Sequence, residues 1–143
     1  MNFDPTLSLA HSAAGILLLT LAMISVVISV LIAVKPAIDP ANIALVKKAN
    51  FVGWIEIIVA VIVTLTGLIA TFMGSLPFSH LWIWLSLLVM TFYIAALIWV
   101  TKPARLVVAE GGSAVKTGMQ VILQIGHVLL VFVALTLMVL KPI

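Results

Sequence analysis

Phe51–Met73 reads FVGWIEIIVAVIVTLTGLIATFM, and one formal charge, Glu56, interrupts it. A helix that crosses the hydrocarbon core of a bilayer needs about 20 predominantly apolar residues. This stretch meets that length, and three others match it: Leu7–Val34, Leu81–Val100 and Thr117–Leu140. The whole chain follows the same pattern. Of its 143 residues, 65% are hydrophobic and 8% are charged, with a mean hydropathy of +1.42. Ordinary soluble domains are nearer ~45–50% apolar and ~25% charged. Too few polar side chains exist to cover a water-facing surface. A soluble globular enzyme, a disordered segment and a nucleic-acid binder are therefore excluded. The expected fold is all-α: a single domain over residues 1–143, folded in the lipid bilayer as an antiparallel four-helix transmembrane bundle.

Local punctuation marks the span ends. Lys35-Pro36 closes the first and Gly74-Ser75-Leu76-Pro77 the second. Lys102-Pro103 closes the third, and Glu110-Gly111-Gly112-Ser113 is a flexible connection before the fourth. Proline cannot continue a helix interior, and Gly/Ser clusters mark turns. The first span is not expected to be a cleaved signal, because its flank carries Asp4 and no basic residue and its apolar run is longer than a signal's.

Four spans place the connections on alternating sides. Lys35, Lys47, Lys48, Lys102, Arg105 and Lys116 fall on one side, and Lys141 alone on the other. Cytoplasmic loops carry the excess of Lys and Arg. The expected location is the cytoplasmic (inner) membrane of a bacterium, with both termini outside. Trp82 and Trp84 then sit at the outer interface, as an aromatic belt requires.

Membrane helices pack through small residues that let backbones approach. The second span shows Asn50, Gly53, Ile57, Ala60, Thr64, Gly67 and Thr71 at helical spacing. The first shows His11, Gly15, Leu18, Ala22, Ser25 and Ser29, and the fourth Gln120, Gln124, His127, Val131 and Ala134. In the third, Ser86, Tyr93 and Ala96 share a face. The Gly, Ala and Ser positions read as packing.

The ionisable and amide residues ask for more, because such groups are costly inside a membrane and are functional candidates by default. Glu56 and Gln124 each lie eight residues in from a lysine, at ~12 Å from the cytoplasmic boundary, with His127 ~5 Å deeper. Glu56, Gln120, Gln124 and His127 are thus expected to form one intramembrane polar cluster. It reads either as structural glue, with Glu56 bonded to Gln124 across the second and fourth helices, or as a proton relay, a quinone contact or a ligand site.

His11 faces the seam near the outer end of the first helix, and His80 begins the third at a similar depth. His11, with Gly15 making room and His80 nearby, forms a candidate cofactor site. The same rise places His11 ~36 Å and His127 ~17 Å above the cytoplasmic boundary. One iron is therefore not expected to take both. Cysteine is absent, which removes disulfides, thiolate catalysis and iron–sulfur chemistry.

The order of features resembles a known family. A first-span histidine (His11), a basic loop, a second span with Leu65-Thr66-Gly67 and a terminal Val139–Ile143 run (VLKPI) are similar to the HemJ-type protoporphyrinogen oxidases. They are also similar to small membrane proteins of the copper-resistance CopD type. The resemblance implies a haem- or porphyrin-binding protein with a redox or haem-pathway role, with haem b or a porphyrin at His11. Where that family carries Trp-Phe-Ala-Gly in its first span, this chain has Ile16-Leu17-Leu18-Leu19. Where its last span carries Asn-Glu-x-Pro, this chain has Gln124–His127.

Three functions follow as expectations. The first is a haem- or porphyrin-binding protein suited to electron transfer. The second is a non-catalytic accessory or scaffold subunit of a larger membrane complex, while a homo-oligomer is expected where four helices must enclose a path. The third is a small proton-coupled transporter using Glu56 and His127.

Overall fold

The computed structural model describes residues 5–35, 40–73, 79–102 and 114–140, with side chains placed at 5–35, 41–73, 79–102 and 118–140. The turn at Gly74–Pro77, Arg105, the Glu110–Ser113 connection and Lys141 lie outside the described residues. So do the side chains of Lys116 and Thr117.

Four helices form: α1 (Pro5–Ala33), α2 (Pro40–Met73), α3 (Leu81–Ala96) and α4 (Ala114–Leu140). All four are long and apolar enough to cross a membrane, α3 together with the turn that extends it. Exposed Val27, Ile58, Leu65, Phe92, Leu129 and Phe132 give the bundle an apolar outer surface. This matches a bilayer, where lipid tails rather than water cover it.

α2 begins eleven residues earlier than the hydropathy of Phe51–Met73 suggests. Proline is favoured in the first helical turn, where its missing N–H costs nothing, and Pro40 takes that place. At ~1.5 Å per residue, 34 residues run to ~51 Å, well beyond a ~30 Å hydrocarbon core. The extra turns carry Lys47 and Lys48 on exposed positions. Their opposite face buries Val46 and Ala49 against Ile28 and Ile32 of α1.

The helices pack in chain order around the bundle. α1 touches α2 and α4, and α3 touches α2 and α4. α2 and α4 stand diagonally, as do α1 and α3. The core joins Leu18 and Leu21 of α1, Val59, Ala60 and Val63 of α2, Met90 and Tyr93 of α3, and Val131 and Ala134 of α4.

α3 does not end as an α-helix. Leu97–Thr101 forms a π-helical turn. An α-helix advances ~100° per residue and would put Thr101 ~80° around from Tyr93. A turn bonded i to i+5, with ~4.4 residues per turn, winds more slowly and returns Thr101 almost to the azimuth of Tyr93. Leu97 and Thr101 are accordingly both fully buried.

Candidate functional site

Glu56 sits at the centre of the buried face of α2, with no exposed surface, rather than at its edge. The face turns inward because Ala49, Gly53, Glu56, Val59, Ala60 and Val63 recur at helical steps, all of them buried. Two neighbouring helices donate to the carboxyl group. Ser25 Oγ of α1 donates to Oε2 at 2.9 Å. The Tyr93 hydroxyl of α3 donates to Oε1.

Tyr93 carries the contact to α4. Its ring meets that of His127 edge-on, with centroids 5.2 Å apart and planes at 86°. His127 Nε2 lies 3.4 Å from Thr101 Oγ1. Gln120 Nε2 donates to the Thr101 carbonyl at 3.3 Å. That carbonyl is one of the orphan acceptors a helix leaves at its C-terminal end, and Gln120 caps it. Ser25, Glu56, Tyr93, His127, Thr101 and Gln120 thus form one run of buried polar contacts through all four helices.

The arrangement differs from a Glu56–Gln124 pair. α2 and α4 are diagonal, so Glu56 bonds its lateral neighbours instead. Gln124 is fully buried, and neither amide atom has a hydrogen-bond partner among the described residues. Gln120, Gln124 and His127 do share one buried face of α4. Ser25, Tyr93 and Thr101 are the members that sequence reasoning did not assign. Tyr93 was visible on the inward face of α3, but its partner across the bundle was not. No sequence signal places Thr101, because Leu97–Thr101 contains neither Gly nor Pro.

His11 is half-buried, and its Nδ1 lies 2.9 Å from Thr66 Oγ1 of α2. The Thr66 hydroxyl spends its one proton on the helix, donating to the Ile62 carbonyl at 2.7 Å and sharing it with Val63 at 3.2 Å. Thr66 therefore accepts, and His11 Nδ1 carries the proton. Gly67 makes room for this imidazole: a Cβ there would come within 2.9 Å of His11 Cε1. Gly15 faces Leu135, which lies 3.6 Å from where its Cβ would be.

His80 is half-buried just before α3, its carbonyl accepting from the Ile83 amide at 3.2 Å. The structure does not bond it to His11, and α1 and α3 are diagonal. No group of three His or acidic residues able to hold a metal occurs among the described residues. Thr66 is ten residues beyond Glu56, so His11 stands ~15 Å further along the bundle than His127.

In comparisons with family models, curated proteins and solved structures, the chain matches none.

Proposed function

We propose that this membrane protein binds and releases a proton at Glu56, and that the Tyr93–His127 contact links that event to α4 in a proton-coupled transport function. One observation carries the reading: a carboxyl group with no exposed surface, inside an apolar bundle, bonded by two hydroxyls and continued by an imidazole. Isolated charges are expelled from such surroundings, and intramembrane Glu and His that persist mark proton pathways. Hydroxyl donors on both oxygens support the ionised form, and the apolar surroundings favour the protonated one. The site is thereby suited to change state.

The orientation that fits is the one set by the basic residues. The end carrying Lys35, Lys47, Lys48 and Lys102 is cytoplasmic, in a bacterial-type inner membrane, with both termini outside. A path open to both sides is completed by a second copy or a larger membrane complex. The test is proton flux into vesicles under an imposed membrane potential, followed with an entrapped pH dye. Wild-type vesicles are expected to outpace Glu56→Gln vesicles. Equal rates contradict the reading and favour an accessory subunit.

A second reading rests on His11. Its bond to Thr66 places a proton on Nδ1, and an imidazole oriented through one ring nitrogen is how histidine ligates metals through the other. Leu135 fills the interior beside Gly15, so a haem b or porphyrin here lies toward the lipid-facing side of α1 and α2. Bound haem would supply one-electron chemistry. A Soret band co-purifying from haem-replete cells, lost in His11→Ala and kept in His127→Ala, supports this reading. Colourless protein contradicts it.

A further inference from the structure

We propose that the half of the bundle between Glu56 and the basic end is internally hydrated, and that the small cavity under Lys102 is the port through which water and protons reach Glu56 from that side only. This rests on the proton-binding reading of Glu56, but the hydration itself is measurable without it.

Depth along the bundle comes first. Tyr93 touches both Glu56 and His127, which sets these residues at one level. α2 and α4 run in the same direction, so equal steps along each reach equal depths. Gln124, three residues before His127, is then level with Gly53, about 4.5 Å toward the basic end. Gln120 is level with Ala49, ~10 Å toward that end.

The unpartnered buried polar atoms fall largely in this half. Both amide atoms of Gln124, Oε1 of Gln120 and Oδ1 of Asn50 have no hydrogen-bond partner among the described residues. Gln124 is 0% and Gln120 4% exposed. Native proteins satisfy such groups, and where no protein atom does so, ordered water does. In the other direction from Glu56 the interior is Leu18, Ala60, Val63, Met90, Val131 and Ala134, a dry apolar plug. Ser86 is the exception there, about 10 Å beyond Tyr93.

A small cavity opens at the surface beside the polar half. It is lined by Asn50, Gly53, Trp54, Ile57 and Lys102, with a volume of about 10 Å³. That is close to the room one water occupies. It spans the depth from Asn50 to Ile57, the residue next to Glu56, and the missing side chain of Gly53 opens its wall. Lys102 covers it, its ammonium 4.1 Å above the Trp54 ring. A cation held on an aromatic face can swing aside at little cost.

Water-edited solid-state NMR of the full chain in bilayers tests this. Magnetisation from water is expected to reach the Gln120 and Gln124 side chains several-fold faster than the methyls of Ala60 and Ala134. Gly53→Leu, which fills the port, should slow transfer to Gln124 several-fold. Lys102→Ala, which uncovers it without adding bulk, should keep transfer fast. Transfer to Gln124 as slow as to Ala134 in the wild-type chain overturns the proposal. So does a Gly53→Leu chain, folded by its backbone shifts, in which Gln124 remains fast. An infrared titration in which Glu56 never changes state, beside a hydrated Gln124, would overturn the proton reading alone.

Discussion

The Tyr93 hydroxyl donates to Oε1 of Glu56 and joins α3 to α2 across the least closely packed of the neighbouring helix pairs. Tyr93→Phe keeps the ring and its packing on His127, and removes the hydroxyl and this bond with it. Interhelical hydrogen bonds in membranes average ~0.6 kcal/mol and reach ~1.7. A loss in that range is expected, measured by unfolding in mixed micelles. Tyr93→Ala also leaves a cavity in a fully buried site, and should cost ~3–5 kcal/mol.

At Glu56 itself, two substitutions separate polarity from charge. Glu56→Gln keeps a carbonyl that accepts from Ser25 or Tyr93, and should fold with a loss of about 1 kcal/mol. Glu56→Leu leaves both hydroxyls without this acceptor inside the bundle, and should lose ~1–3 kcal/mol more. Unfolding midpoints of the two variants side by side check the order. A Leu variant as stable as the Gln variant would show that the two bonds contribute nothing.

Gly67 and Gly126 make a controlled pair. A Cβ at Gly67 meets His11 Cε1, so Gly67→Ala should push the ring away and break its bond to Thr66. Nothing lies within 4 Å of a Cβ at Gly126, and Gly126→Ala should be neutral or slightly stabilising. The ¹⁵N shifts of His11 report the outcome, as Gly67→Ala should abolish the single Nδ1–H tautomer. In a His11→Ala background the Gly67→Ala cost should disappear.

Much of this arrangement was legible in the sequence, and the part that was not has a common cause. The four spans, the antiparallel order and the inward stripe of Gln120, Gln124 and His127 follow from hydropathy and helical period alone. A period, however, gives the azimuth of a residue on its own helix and nothing about which residue faces it. Tyr93 was thus placeable on the inner face of α3 but not opposite Glu56, and Thr66 was not placeable beside His11. The diagonal relation of α2 and α4 decided that Glu56 would bond Ser25 and Tyr93. The π turn at Leu97–Thr101 shifts the period itself, so a fixed 3.6-residue template misplaces Thr101. At the start of α2, lysines ended the apolar run but not the helix, because backbone hydrogen bonding continues into the interface.

Orientation gives a fourth prediction. Tags at both termini should be reachable from outside sealed cells, and a probe inserted between Pro103 and Val115 should be reachable only after permeabilisation. Labelling of the termini from the cytoplasmic side alone would reverse the assignment, and with it the side from which Glu56 is reached.

The central claim is that Glu56 changes protonation state inside the folded bundle. Infrared difference spectroscopy of the protein in bilayers measures this directly, by stepping the buffer pH and following the carbonyl stretch of a protonated carboxylic acid. The account predicts a band in that region that rises and falls reversibly with pH, is absent in Glu56→Gln, and shifts in frequency in Tyr93→Phe as one donor is removed. A spectrum in which no carboxyl band distinguishes the wild-type chain from Glu56→Gln across the range where the fold survives would contradict it, and would leave Glu56 as a structural bond between helices.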